Sequence, residues 1–128
     1  MKLLLDTQLI LWAAKEDKKL SPAARKLMSD MENELLFSSI SIWEITIKNG
    51  LQRPDFKANA RLIRRGMLDN GYTELPMLSE HALAVDTLPP VHKDPFDRIL
   101  IAQAKAEGIL LLTADTMLDQ YGEPVRLV

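Results

Sequence analysis

Three stretches of this chain are apolar without interruption: Leu3-Leu4-Leu5 within Lys2–Leu5, Leu35–Phe37, and Ile109–Leu112. A strand with one wet face alternates apolar and polar residues, so runs without alternation are covered on both faces. Helical stretches separate them. From Thr7 to Ala14, Leu9, Ile10, Trp12 and Ala13 fit one helical face. Ser21 and Pro22 form a helix start with a hydroxyl cap and proline at the first position, and Ala23, Ala24, Leu27, Met28 and Met31 extend that helix. Ser38-Ser39 caps a helix running to Asn49 and ended by Gly50; another spans Ala58–Leu68. Ser79 caps a short helix through Val85, and Asp94-Pro95 opens a helix that reaches Glu107 and closes at Gly108. Tyr72–Leu75 and Val125–Leu127 complete the strands. Buried strands alternating with helices predict an α/β fold, a three-layer α/β/α sandwich around a mostly parallel sheet of four to five strands.

Ligands of such sheets bind beyond the carboxyl ends of the strands. Asp6 follows the first strand and Asp115 closely follows Ile109–Leu112. Two further acids, Glu44 in Ser41-Ile42-Trp43-Glu44-Ile45 and Asp97 in Asp94-Pro95-Phe96-Asp97-Arg98, are embedded in apolar sequence. A carboxylate buried without a partner is costly, so each is paired or functional. Each acid also has a simpler reading: Asp6 and Asp115 as caps, Glu44 as an ion pair with Lys48 four residues on, Asp97 as a charge at the positive end of its helix. Asp94 reads as a cap.

The argument for a site is joint placement. Two carboxylates about 5 Å apart repel by roughly 3 kcal/mol at an effective dielectric of about 20. Four together stay ionised only with positive charge among them. The chain has no cysteine and two histidines, which leaves a hard cation, Mg²⁺ or Mn²⁺, in an all-oxygen site. Such ions serve phosphate hydrolysis. The absence of cysteine also excludes disulfides, thiolate zinc sites and thiol nucleophiles. The net charge of −2 makes no overall case for nucleic acid. With the four acids set aside, however, 16 basic residues face 14 acidic ones. Lys48, Arg53, Lys57, Arg61, Arg64, Arg65 and Arg98 remain for a phosphate backbone, although a run such as Arg61, Arg64 and Arg65 also reads as a solvated helix face. No apolar run is long enough for a membrane span, and the first one breaks at Asp6, too short for a signal peptide. A cytoplasmic protein of one domain is expected.

Leu4-Leu5-Asp6-Thr7, Ser41-Ile42-Trp43-Glu44-Ile45, Asp94-Pro95-Phe96-Asp97-Arg98 with Ile101-Ala102-Gln103-Ala104, and Leu112-Thr113-Ala114-Asp115 together resemble PIN-domain nucleases. The closer resemblance is to VapC toxins of bacterial and archaeal toxin–antitoxin pairs, and it runs from Leu3 to about Val125. It implies a single PIN domain over 1–128 and metal-dependent endoribonuclease activity, commonly on tRNA or rRNA. It also implies a homodimer, and a VapB-like antitoxin whose C-terminal tail blocks the acidic site. Asp6, Glu44, Asp97 and Asp115 match the family's catalytic and metal-binding acids; Thr7 and Thr113 match hydroxyls near the site; Asp94, Arg98 and Asp119 are second-tier candidates. Relatives usually read Asp-Thr-His where this chain has Asp6-Thr7-Gln8, so Gln8 can hydrogen-bond there but cannot carry charge. His92 also sits at a recurring position, with a loop histidine making a backbone bond as the simpler reading, and His81 reads as structural. Trp12 and Trp43 supply apolar surface for a dimer or, more simply, for the core.

Two rivals are weighed. A binding module of the same fold would need no metal, and retention of all four acids counts against it. A phosphotransfer or phosphatase domain would want an acid two residues after Asp6, where Gln8 stands, or an acceptor at the end of a middle strand, where Phe37-Ser38 offers none.

Overall fold

The computed structural model describes residues 1–51 and 57–128; Arg53 lies outside the described residues. The strands are β1 (Lys2–Leu5), β2 (Glu34–Ser38), β3 (Thr73–Leu75), β4 (Leu110–Thr113) and β5 (Val125–Leu127). The helices are α1 (Thr7–Ala14), α2 (Pro22–Ser29), α3 (Ser39–Gly50), α4 (Ala60–Asp69), α5 (Ser79–Ala84) and α6 (Pro95–Glu107). All strand pairings are parallel, in the order β3-β2-β1-β4-β5. The chain therefore builds outward from β1 to β3, then returns to place β4 on the other side of β1. That reversal is a topological switch point, where such sheets open a crevice at their carboxyl ends. Among the described residues no helix is long and apolar enough to cross a membrane.

The pleat explains the uninterrupted leucines. Leu4, Leu36 and Leu111 face one core, closed by Ile40 of α3 and by Ile99, Leu100 and Ala104 of α6. Leu3, Leu5, Phe37 and Leu112 face the other, closed by Leu9 and Ile10 of α1, Ala24 of α2 and Met67 of α4. Both faces are covered, as a three-layer sandwich requires.

Local chemistry sets most boundaries as expected. Ser21 accepts from Ala24 N–H and Ser38 from Ile40 N–H. Asp94 caps α6 through Phe96 N–H. Several expectations are corrected. Gly50 lies inside α3 rather than ending it, and Leu51 is the C-cap. The second helix ends at Ser29, and Met31 is 98% exposed rather than part of its packed face. The α4 cap is Asn59, so that helix begins at Ala60. Ser79 is not a cap; Leu78 holds that position, and its N–H is taken by Nδ1 of the fully buried His81.

Gly108 ends α6 in the left-handed region (φ 67°), letting Ile109 N–H reach the Ala104 carbonyl before β4. A Cβ there would meet no atom within 4 Å, so the penalty of Gly108→Ala is conformational alone. We expect about 1 kcal/mol of lost stability in urea unfolding, with an unchanged far-ultraviolet spectrum.

Candidate active site

Strand ends and helix starts converge at the switch point. A cleft of about 370 Å³ is lined by Asp6, Thr7, Gln8, Leu11, Trp12, Glu44, Lys48, Asp94, Asp97, Ala114 and Asp115. All four acids singled out in the sequence thus share one cleft, though they come from four separate segments. A larger groove of about 980 Å³, lined by side chains such as Leu20, Met28, Ile63 and Tyr72, lies away from these acids and gathers no comparable chemistry.

Asp6 sits where β1 becomes α1 and is 5% exposed. Oδ1 accepts Leu9 N–H at 2.8 Å, and Oδ2 accepts the buried Thr113 hydroxyl at 2.5 Å. It is a helix cap, and it is also a buried carboxylate facing other acids. Burial dominates its titration and pushes the carboxyl up to about 6, against the Thr113 and Leu9 bonds and with help from Glu44 and Asp115.

Glu44, 4% exposed, projects from the second turn of α3. Oε1 accepts the Thr7 hydroxyl at 2.7 Å, and Oε2 meets Lys48 Nζ at 2.6 Å. Thr7 Oγ1 also lies 2.9 Å from Ser41 Oγ. Thr7 has one proton, so it donates to the carboxylate and accepts from Ser41. Ser41, wholly buried, is a supporting residue that no local sequence pattern marks. The helical Glu44–Lys48 pair is present as well, and Lys48, expected to serve a phosphate backbone, lines the cleft.

Asp97 lies in the first turn of α6 and, among the described residues, accepts no hydrogen bond. Its carboxyl is pushed up to about 7, first by burial and then by Asp94, Glu44, Asp6 and Asp115. Those effects outweigh the favourable helix N-terminus. Asp115 is held in the turn after β4, where its N–H donates to Thr113 Oγ1 and its Oδ1 accepts Met117 N–H.

The second-tier residues divide. Thr7, Gln8 and Asp94 line the cleft, Gln8 exposed at its edge. Thr113 acts from below through Asp6. Arg98 and Asp119 do not line it. The Arg98 guanidinium instead braces the loop before α6, donating to Pro89 O, Val85 O and Tyr121 Oη, and Asp119 lies exposed in the 3-10 turn Leu118–Tyr121. Trp43 is 56% exposed rather than core, packing edge-to-face on Phe96 at 5.3 Å, whereas Trp12 is half-buried against the core.

The donor set is oxygen-rich and short of positive charge: five carboxylates, one of them the α6 cap Asp94, and a hydroxyl, with Lys48 already against Glu44. The raised Asp6 and Asp97 carboxyls register that deficit, and a hard divalent ion fits it.

A family model described as PIN domain matches residues 3–124. Among solved structures, the chain is similar to VapBC2 from Rickettsia felis bound to a promoter DNA fragment, with TM-score 0.70, 16% identity, and coverage of 100% of this chain and 98% of that one. DNA-bound VapBC from Salmonella typhimurium gives TM-score 0.70 at 15% identity, covering 100% and 97%. VapBC-1 from nontypeable Haemophilus influenzae gives 0.65 at 18% identity, covering 100% and 97%. No curated protein matches the sequence. At these identities the structural likeness speaks for the fold.

Proposed function

Because the chain belongs to the PIN-domain family, we propose that it is a divalent-metal-dependent endoribonuclease toxin of the VapC type, with tRNA or rRNA as its substrate class. One observation carries the reading: Asp6, Glu44, Asp97 and Asp115 converge on one cleft, and two of them are held against ionisation by burial and by one another. Asp6, Glu44, Asp97 and Asp115 would hold Mg²⁺ or Mn²⁺. When bound, the ion supplies Lewis-acid stabilisation of charge developing on the scissile phosphate and activates water for attack.

The chain's own residues set the stage. Thr113 holds Asp6 at the floor, Thr7 and Ser41 orient Glu44, and Lys48 is the lysine that lines the cleft among the described residues, placed to meet an approaching phosphate. Gln8 offers a neutral hydrogen bond at the edge.

The same reading extends to assembly. The 1–128 chain acts as one PIN domain in the cytoplasm, silenced by a VapB-like antitoxin. The support is the three VapBC complexes with which it shares a fold. Homodimerisation is supported by Trp43, Ile47 and Leu51, exposed at helical spacing along α3 and its end.

A binding or regulatory module is the second reading, favoured by the Glu44–Lys48 pair, which already neutralises one acid. The test is incubation of antitoxin-free protein with total RNA in Mg²⁺ or Mn²⁺ and then in EDTA. Discrete fragments that disappear with EDTA are expected. A folded chain that leaves RNA intact in both ions would favour the module.

A further inference from the structure

His92 lies in the loop before α6, with Nε2 3.7 Å from Asp97 Oδ2 and 4.0 Å from Asp115 Oδ2. The three side chains offer ligand atoms within 4.8 Å of one another, spacing that would suit a metal site containing nitrogen. The other side of the ring argues against that use. Asp94 N–H donates to His92 Nδ1 at 2.9 Å. A ring nitrogen that accepts a hydrogen bond carries the lone pair, so in the neutral imidazole the proton sits on Nε2. A metal-ligating histidine has the reverse arrangement, donating its second N–H outward.

The loop holds this orientation. His92 N–H donates to Tyr121 Oη at 2.9 Å, and Arg98 donates to the same oxygen at 3.2 Å and to Pro89 O at 2.9 Å. The bracing role of Arg98 therefore has a beneficiary: it fixes the segment that aims His92.

We propose that His92 is a positioning residue whose Nε2–H is aimed at Asp97 Oδ2 and leaves Asp97 Oδ1 for a divalent ion, whereas Asp115 Oδ1 is already held by Met117 N–H. Asp97 has no other donor among the described residues. At 3.7 and 4.0 Å neither contact is yet a hydrogen bond, and a displacement of about 1 Å makes either one. The assignment rests on the divalent site proposed above.

The first test is long-range ¹H–¹⁵N NMR of histidine-labelled protein at mildly alkaline pH, without and with Mg²⁺. The proton is expected on Nε2 of His92 in both states. Its transfer to Nδ1 on adding Mg²⁺ would make His92 a ligand and overturn the proposal. The second test is Mn²⁺ titration calorimetry on His92→Leu and His92→Gln, with thermal unfolding to check the fold. Affinity should fall about 10- to 100-fold in His92→Leu, the usual effect of losing an outer-shell partner, and stay within a few-fold in His92→Gln, which keeps a donor. Unchanged affinity in His92→Leu would contradict the role. Should that variant not fold, the NMR proton position decides. Wild-type protein that binds no Mn²⁺ overturns the functional reading separately, and the proton position still tests the donor.

Discussion

Asp6→Asn is expected to abolish metal-dependent RNA cleavage while making the metal-free protein more stable. The two effects have one cause. The Asp6 carboxyl titrates at about 6 rather than 3.8 because folding buries it beside Glu44 and Asp115. At neutral pH the fold therefore carries a buried charge that asparagine would remove. The amide oxygen can keep the Leu9 N–H cap, so α1 retains its start. A shift of about two units corresponds to roughly 3 kcal/mol at most, less whatever is lost at the Thr113 contact. A net gain of about 1–2 kcal/mol would raise the melting temperature by roughly 5 °C in EDTA at pH 8. Cleavage should fall at least about 1,000-fold, the scale on which a lost transition-state stabiliser is felt. Scanning calorimetry and RNA gels on the same preparation check both. A destabilised Asp6→Asn with full cleavage would reverse the account on each point.

The second large effect is the pH dependence of stabilisation by divalent ions. Burial beside other acids pushes the Asp6 carboxyl up to about 6 and the Asp97 carboxyl up to about 7, both above the ordinary carboxylate value of 3.8. The folded state thus binds protons more tightly than the unfolded chain. The stability this confers is fully present below about pH 4 and is lost as pH rises through 6 to 7. In EDTA the melting temperature should accordingly decline over that window, once the rest of the chain's titration is subtracted using the Asp6→Asn/Asp97→Asn double variant. Added Mn²⁺ acts in the opposite sense, because it binds the ionised acids. At about 100 times its dissociation constant it contributes roughly 3 kcal/mol, an upshift on the order of 10 °C. That gain should be full at pH 8 and gone by about pH 5, where Asp6 and Asp97 are protonated. An equal upshift at both pH values would place the ion elsewhere.

Much of this was legible in the sequence because it depends on local patterns. Uninterrupted leucines require two covered faces, and the structure supplies them from α1, α2 and α4 on one side and α6 with the start of α3 on the other. Asp94-Pro95 and Gly108 bracket α6 by chemistry that needs no tertiary partner. The simpler readings of Asp6, Asp115 and Glu44 also hold, since a carboxylate has two oxygens: one of Asp6 caps α1 while the other joins the site floor. Ion pairing with Lys48 and a place in the cleft are likewise compatible for Glu44.

What local pattern could not carry was direction in space. Arg98 follows Asp97 in the chain, yet neighbours on a helix point about 100° apart, and Arg98 turns to the loop carbonyls instead of the cleft. Ser79 resembles a cap, but buried His81 takes the Leu78 N–H from within α5. Ser41 supports Glu44 only because Thr7, 34 residues away, meets its hydroxyl. His92 depends on Asp94, Arg98 and Tyr121 together, a combination no spacing rule encodes.

The central claim is that four acids from separate segments hold one divalent site. Its most direct measurement is calorimetric titration of Mn²⁺ into the wild-type chain and into Asp6→Asn, Glu44→Gln, Asp97→Asn and Asp115→Asn. The account predicts saturable binding by the wild type at pH 8 and a loss of affinity in every variant, each still folded. Wild-type affinity in all four variants would contradict it.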